Sequence, residues 1–327
     1  MAANTNTSEV SREEELKKVS RMSMIRSILP VVGLVVIFVI FNLITKGGMI
    51  KNFSLVMSQV YVIMISATGV FFIMTMGGLD FSQGSILGIA SIVVCMVSKY
   101  SIPLAILAGI AAGAGIGAIN GFFYVNRKIK SFIVTICTMF LFRGIIKYLT
   151  SSAPVGSGMD MMMLGMNKNI ELIKFLCTLA VVVVGFIAFH FTRFGIDLRA
   201  IGAGEKAAKF AGIRTNKMKF LIYVLAGAIT GFAAFINAVK VLSVTSSGGN
   251  QLETQILIAL VLGGMPISGG AKARFLNVII GSLMYAVLTF GLQMIGLTTQ
   301  TMQLIQGVVF LIFVAVFADR ESLKVIK

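Results

Sequence analysis

The sequence predicts an all-α polytopic membrane protein with about ten transmembrane helices, of which one or two are short or broken. Hydrophobic residues make up 57% of the 327 residues, and the mean hydropathy is +0.96, values outside the range of soluble globular domains. The apolar residues form repeated runs of about 20 residues, the length that a helix needs to cross a bilayer. The Lys and Arg residues lie in clusters between these runs.

Ten candidate spans follow one another along the chain. Two of them are short, Ser85–Ser98 and Leu252–Gly264, and are therefore candidates for broken or re-entrant helices. We expect one membrane domain over residues 28–318, preceded by a tail of residues 1–27 and followed by a tail of residues 319–327. The other eight spans are Ile28–Ile44, Leu55–Met76, Ile102–Val125, Phe132–Leu149, Leu172–Phe191, Leu221–Val241, Leu276–Leu292 and Met302–Ala318.

The placement of the basic residues predicts the orientation of the chain. A net charge of +16 would indicate nucleic-acid binding in a soluble protein, but ten crossings place all the basic clusters on one side. Because Lys and Arg are enriched on the cytoplasmic side, we expect both tails and residues 193–219 in the cytoplasm, and no nucleic-acid partner. Nine crossings would leave the basic C-terminus outside. The clusters are Arg12–Arg26, Arg127–Lys130, Arg193–Lys219, Lys272–Arg274 and Arg320–Lys327.

The loop of residues 193–219 is the candidate contact with a partner protein. It holds seven of the 28 Lys and Arg residues, so it cannot lie in lipid. Within it, Ala203–Ile213 alternates small and charged residues in a helical pattern between Gly202 and Gly212. Such a segment has too few large apolar residues to bury a face of its own. We therefore predict a short surface helix with a narrow face of small residues, presented to another protein.

Two glycine-rich segments form a weak internal repeat. Gly77–Gly84 and Gly263–Gly270 share Gly, Gly, Ser and Gly at identical spacing, and one of them adjoins each short span. In transporters, short or glycine-interrupted segments in both halves point to the substrate pathway. The alternative is coincidence in a protein with 34 glycines, and parallel and inverted repeats both stay open. The repeat predicts a translocation pathway that includes Gly77, Gly78, Ser82, Gly263, Gly264 and Ser268.

Three polar residues in or beside the spans complete the candidate pathway. Asp80 precedes the Ser85 span with Gln83 three residues later, a spacing that also fits a helix N-cap with a reciprocal partner. Asn120 ends a run of small residues that favours close helix packing; it would hydrogen-bond across helices or line a path. Arg143 lies well inside its span, where a charge faces a pathway or a partner, or extends to the interface. The sequence places no carboxylate in the middle of a span, which argues against ion-coupled transport.

No residue set for catalysis or metal binding can be assembled from the sequence. The single histidine, His190, lies at the end of a span, where solvation is the simpler interpretation. Cys95, Cys137 and Cys177 are predicted to be buried free thiols. A phosphate-binding loop of the G-x-x-x-x-G-K-[S/T] type does not occur. The chain is therefore predicted not to be an enzyme and to bind no cofactor, and an ATP-driven step would need Mg-ATP on a separate subunit.

Three stretches together resemble the permease subunits of bacterial ABC importers of the ribose/galactose-type monosaccharide family. They are Gly77–Gly88, Ile119–Ile145, and Ala200–Ile213 followed by Ile256–Gly270, in the family's order. The resemblance implies a homodimer in the bacterial plasma (inner) membrane. It also implies two partners, an ABC ATPase, as separate subunits or a fused tandem, and an extracytoplasmic sugar-binding protein.

The resemblance also implies the role of the charged loop and the function of the chain. The loop corresponds to the family's coupling loop, which contacts the ATPase. The expected function is the permease subunit of an ATP-driven, binding-protein-dependent importer of a monosaccharide or a similar small polar solute. The alternative is an ion- or proton-coupled secondary transporter. The implied coupling residues are Gly204, Glu205, Lys206, Ala207, Ala208 and Gly212.

Overall fold

The computed structural model describes residues 28–266, 269–270 and 273–317, so the predicted tails, residues 1–27 and 319–327, lie outside the described residues. Apart from one pair of two-residue strands, β1 (Val155–Gly156) and β2 (Ser243–Val244), the regular structure in this part is helical. The helices are α1 (Ile28–Ile44), α2 (Gly48–Lys51), α3 (Phe53–Thr75), α4 (Gln83–Val97), α5 (Ile102–Asn126), α6 (Ser131–Leu149), α7 (Met159–Gly165), α8 (Ile170–Phe191), α9 (Arg193–Ala203), α10 (Glu205–Phe210), α11 (Thr215–Val241), α12 (Leu252–Leu262), α13 (Leu276–Met294) and α14 (Thr299–Phe317).

Each of the ten predicted spans corresponds to one of these helices. Within the described residues, six helices are long and apolar enough to cross a membrane, namely α3, α5, α6, α8, α11 and α13. The apolar helices α1, α4 and α12 are shorter, with 17, 15 and 11 residues, and α14 is apolar over Thr299–Ala315. The all-α polytopic class is therefore confirmed, whereas ten complete crossings stay a prediction. The two spans predicted to be short are short helices, since α4 has 15 residues and α12 has 11.

Helices α5 and α11 pack closely because glycines line their contact. A Cβ atom added at Gly113 of α5 would collide with the carbonyl oxygen of Gly227 of α11. One turn later, a Cβ atom added at Gly117 would collide with the backbone of Tyr223. Small residues four positions apart lie on one helix face and let membrane helices approach backbone to backbone. The predicted role of this small-residue run in helix packing is therefore confirmed.

The connections between the helices gather at two ends of the bundle. At one end, the β1–β2 pair joins the connection after α6 to the connection after α11, and Gly158 packs against the backbone of Lys99. At the other end, Gly202 of α9 packs against Gly270, whose backbone amide donates to the carbonyl oxygen of Met74 (3.3 Å). We call the first the strand end and the second the α10 end.

The three cysteines are free, as predicted, but they lie in different environments. Cys95 is buried, Cys177 is half-buried and Cys137 is exposed. The prediction of a buried thiol is therefore wrong for Cys137. The reason is that α6 packs against the other helices along a narrow face. Only 22% of its 18-residue apolar segment is buried within the chain.

Candidate functional site

The charged loop forms two short helices, α9 and α10, instead of the single helix predicted over Ala203–Ile213. Gly204 separates them with an extended backbone (φ 170°). The boundary predicted at Gly202 is wrong, because this residue continues α9, where a side chain would collide with the carbonyl oxygen of Thr75. The boundary at Gly212 is confirmed. Its positive φ (86°) follows the end of α10, and glycine adopts this conformation without steric cost.

Helix α10 presents an exposed surface with one large aromatic side chain. Lys206, Ala207 and Lys209 are exposed, and Phe210 is 93% exposed. Ala208, in contrast, is 4% exposed, so its methyl group packs into the fold and lies outside the outward face. Exposed aromatic residues beside polar ones are typical of contact sites between proteins. We call the set Lys206, Ala207, Lys209 and Phe210 the α10 surface.

Asp80 lies at the centre of a buried group of hydrogen bonds between α4, α5 and α6. Its Oδ1 accepts from the backbone amide (2.8 Å) and the hydroxyl (2.6 Å) of Ser82, and its Oδ2 accepts from the side-chain amide of Gln83 (2.7 Å). Asn120 of α5 donates to the Ser82 hydroxyl (2.8 Å) and accepts from the hydroxyl of Thr138 on α6 (2.7 Å). All five side chains are buried. Three predicted pathway residues, Asp80, Ser82 and Asn120, are thus brought together.

Helix α11 also contributes to this group. The hydroxyl of Thr230, which is fully buried, donates to the side-chain carbonyl oxygen of Gln83. Four helices therefore share one buried polar contact within a largely apolar bundle. Buried polar groups need such partners because unpaired ones are costly in an apolar medium. We call Asp80, Ser82, Gln83, Asn120, Thr138 and Thr230 the Asp80 cluster.

The structure corrects one interpretation of the acidic residues and refines another. Helix α4 begins at Gln83 with Ser82 as its N-cap, so Asp80 lies two residues before the cap instead of occupying it. As expected, the described residues place no carboxylate in the middle of an apolar helix, but this does not mean that none is buried, because Asp80 is 2% exposed and Glu253 is 8% exposed. Both carboxylates lie next to the start of a short helix. Because α4 and α12 are shorter than the helices around them, their first turns lie inside the bundle. A carboxylate beside such a first turn is therefore buried.

Arg143 forms a separate polar contact nearer the strand end. Its Nη2 atom donates to both carboxylate oxygens of Glu253 (3.1 Å each) and to the carbonyl oxygen of Gly249 (3.0 Å). The two charged side chains are 16% and 10% exposed. The ion pair lies over Gly84 of α4, where an added Cβ atom would collide with the Glu253 carboxylate. Of the two alternatives for Arg143, the structure therefore supports an internal partner instead of extension to the interface.

The two glycine-rich segments have equivalent geometry, but the repeat is displaced by one residue. Gly77 (φ 83°) and Gly264 (φ 90°) each follow a helix end in the left-handed conformation. The backbone amide of Gly77 donates to the carbonyl oxygen of Met74, and that of Gly264 donates to Val261. Both are glycine C-caps. The fold therefore pairs Gly77 with Gly264, whereas the sequence pattern paired Gly78 with Gly264.

The two segments meet at the α10 end. A Cβ atom added at Gly269 would lie 3.4 Å from the Cα atom of Gly77. Gly263 packs against the backbone of α13, and Gly78 packs against α3 and α11. These glycines permit close approach of backbone and side chains. Ser268 lies outside the described residues.

Several residues of these sites were not predicted from the sequence. Thr138 and Thr230 join the Asp80 cluster from helices distant in sequence, and nothing in their local sequence distinguishes them from other threonines in apolar runs. Glu253 had a visible signal, because it is the single acidic residue of the short span Leu252–Gly264. Phe210 had one as well, as the one aromatic residue between Ala203 and Ile213.

A bundle of apolar helices, six of them long enough to cross a membrane, is the architecture of a polytopic membrane protein. Comparison with known proteins gives the family. The family model described as "Branched-chain amino acid transport system / permease component" matches residues 52–314, and the chain belongs to this family.

Curated relatives span nearly the whole chain. The ribose import permease protein of Bacillus subtilis (strain 168) is 31% identical over 318 residues, which are 95% of this chain and 98% of the relative. The ribose import permease protein of Escherichia coli (strain K12) is 28% identical over 297 residues, 88% of this chain and 92% of the relative. The galactose/methyl galactoside import permease protein of the same strain is 30% identical over 298 residues, 84% and 87% of the two chains. The resemblance derived from the sequence is thereby confirmed. No solved structure matches the chain.

Proposed function

We propose that this chain is the transmembrane permease subunit of an ATP-driven, binding-protein-dependent importer of a monosaccharide or a similar small polar solute. The names of the relatives support the substrate class, since they are import permeases for ribose and for galactose or methyl galactoside. The sequence holds no phosphate-binding loop. In this proposal Mg-ATP is therefore bound by a partner ATPase, as separate subunits or a fused tandem, and a secreted sugar-binding protein delivers the solute.

The observation that carries the proposal is the α10 surface. Helix α10 lies outside the candidate spans, exposes an aromatic side chain among lysines, and is attached to the start of α11 by the ion pair between Glu205 and Lys219. A partner bound there can exert force on a membrane helix. We propose that the α10 end is cytoplasmic, as the basic clusters favour, and that the chain acts as a homodimer in the inner membrane.

We propose that the Asp80 cluster is the central part of the translocation pathway or of its gate. It joins four helices through hydrogen bonds that rearrange only together. Gly78 and Gly263 let the surrounding segments approach closely, and Gly77 and Gly264 adopt the left-handed conformation after α3 and α12. On the side of the cluster nearer the strand end, the ion pair between Arg143 and Glu253 fixes the connection between β2 and α12. Alternating access would then be an equilibrium between two arrangements of the Asp80 cluster. ATP binding to the partner would shift this equilibrium.

A second candidate function, an ion- or proton-coupled secondary transporter, is favoured by one observation. Asp80 is buried, and its three hydrogen-bond donors, from Ser82 and Gln83, carry no charge. Intramembrane carboxylates are frequent members of proton pathways. This candidate needs no ATPase and assigns no role to the α10 surface.

Binding of the ATPase to variants of the α10 surface distinguishes the two candidates. Phe210→Ser removes the exposed ring, and Ala207→Trp places a bulky group on the same face, where a fitted partner would be excluded. Phe191→Ser is the matched control, since Phe191 is also exposed (74%) and precedes the same loop. We expect the detergent-solubilised wild type and the control to retain the ATPase in a pull-down, and both α10 variants to lose it. A wild type that does not retain the ATPase would favour the secondary transporter, whereas equal retention by all four proteins would show that the ATPase binds away from the α10 surface.

A further inference from the structure

Lys219 is a buried lysine at the start of α11 with partners on two other helices. It is 8% exposed, and its ammonium forms an ion pair with Glu205 of α10. The same ammonium lies 4.9 Å from the ring centroid of Tyr124 on α5. A buried ammonium is stable only with such partners, a counter-charge and an aromatic face. The position of Lys219 therefore depends on α10 and on α5 together.

The contacts continue from Tyr124 to the segment that carries Asp80. The ring of Tyr124 meets the ring of Tyr223 edge to face, with centroids 5.5 Å apart. Tyr223 lies one turn after Lys219 on α11 and is 1% exposed. Its hydroxyl donates to the carbonyl oxygen of Leu79 (3.4 Å), the residue directly before Asp80. A series of contacts thus leads from α10 through Lys219, Tyr124 and Tyr223 to the backbone directly before Asp80.

The helices that carry this series are well suited to move as one body. The glycine contact between α5 and α11 leaves no compressible side chains between the two backbones. Asn120 on α5 and Thr230 on α11 are both members of the Asp80 cluster. A displacement of the α10 end of this pair therefore changes the hydrogen-bond geometry of the cluster from two sides.

We propose that Lys219 is a positioning residue that transmits the position of α10 to the Asp80 cluster, through Tyr124 and Tyr223. The proposal rests on the proposed function, in which α10 contacts the ATPase. The Glu205 side chain is 48% exposed, whereas that of Lys219 is 10% exposed. A partner on α10 can thus move or compete for the carboxylate while the ammonium stays buried. Without its counter-charge the ammonium of Lys219 is no longer stable in its present position. Lys219 then moves, and the α5–α11 pair moves with it.

The test separates ATPase binding from coupling. Lys219→Met keeps an unbranched apolar side chain but removes the charge, Lys219→Arg keeps a cation, and Lys217→Met is a matched control at an exposed lysine two residues earlier. Each is assembled with the ATPase and the binding protein in liposomes. Two quantities are measured: the ATPase retained, and the radiolabelled ribose or galactose imported per ATP hydrolysed. We expect all four proteins, including the wild type, to retain the ATPase. Import per ATP should fall on the order of tenfold for Lys219→Met alone, a typical size for coupling between sites.

A second pair of variants keeps the proposal testable if Lys219→Met does not fold. Tyr124→Phe retains the ring that faces the ammonium, and Tyr124→Leu removes it. Import per ATP should be close to wild type for the first and reduced for the second, with ATPase retention unchanged.

Three outcomes would overturn the proposal. Wild-type import per ATP in Lys219→Met, or in Tyr124→Leu if the first variant does not fold, would show that the contacts carry no coupling. Loss of ATPase retention in Lys219→Met would show a docking role instead of a transmitting one. A wild-type chain that does not retain the ATPase would overturn the proposed function, and this proposal with it.

Discussion

Arg143 and Glu253 form an ion pair in which one guanidinium nitrogen lies 3.1 Å from each carboxylate oxygen. The same nitrogen donates to the carbonyl oxygen of Gly249, so Arg143 attaches the connection between β2 and α12 to α6. Both charged groups are largely withdrawn from solvent. Removal of one therefore leaves the other buried without its counter-charge, the most costly way to disrupt such a pair.

Glu253→Gln should lower the free energy of unfolding by about 3 kcal/mol, as expected when a buried ion pair is broken on one side. Lys147→Met is the matched control, because Lys147 lies one turn after Arg143 on α6 and is exposed. Thermal unfolding of the purified proteins in detergent measures both effects. The same transition temperature for Glu253→Gln and the control would contradict the importance of the ion pair.

Asp80→Asn should destabilise the protein by about 2 kcal/mol, because the new amide group turns a donor toward either Ser82 or Gln83, which already donate there. Solute uptake should fall in parallel if the cluster is part of the pathway or its gate. Asp160→Asn, at an exposed aspartate of α7, is the control. Thermal unfolding and uptake are measured on the same preparations. An Asp80→Asn protein with unchanged stability would mean that the carboxylate is not held as described.

Gly113→Ala should destabilise the α5–α11 contact, with a loss of about 1–3 kcal/mol in the free energy of unfolding from overpacking. The added methyl group would meet the backbone of Gly227. Gly115→Ala, two residues later on the same helix, adds its methyl group where no atom lies within 4 Å. Chemical denaturation in mild detergent compares the two. If Gly115→Ala were the more destabilised variant, the helix contact would be wrong.

The helical class and the position of every apolar helix could be predicted because both follow from local composition. The ten apolar runs of the sequence became ten helices, and the short runs at α4 and α12 became short helices. The close packing of α5 was also visible, since glycines every four residues lie on one helix face. The number of complete membrane crossings could not be predicted, because crossing depends on the depth of a helix in the bilayer as well as on its hydropathy.

The candidate sites were only partly predictable because their partners lie far apart in the chain. Asp80, Ser82 and Asn120 stood out as polar residues near glycines or in an apolar run, but their shared contact depends on helix packing. Glu253 was not singled out within its short span, and only the fold shows it beside Arg143. Ala208 was assigned to the docking face by its size, whereas the turn of α10 directs it into the core. The helical period fixes which residues share a face, but not which face is outward.

The most direct test of the central claim, an ATP-driven importer, is solute uptake into sealed proteoliposomes that contain this chain with its ATPase and binding protein. Radiolabelled ribose and galactose are the probes, with ATP supplied on the ATPase side and with ion gradients collapsed by ionophores. For an ATP-driven importer, we expect accumulation of at least one of the two sugars that requires ATP, persists without a gradient, and is abolished by Phe210→Ser but not by Phe191→Ser. Accumulation that needs an ion gradient, proceeds without ATP and is unaffected by Phe210→Ser would contradict this claim.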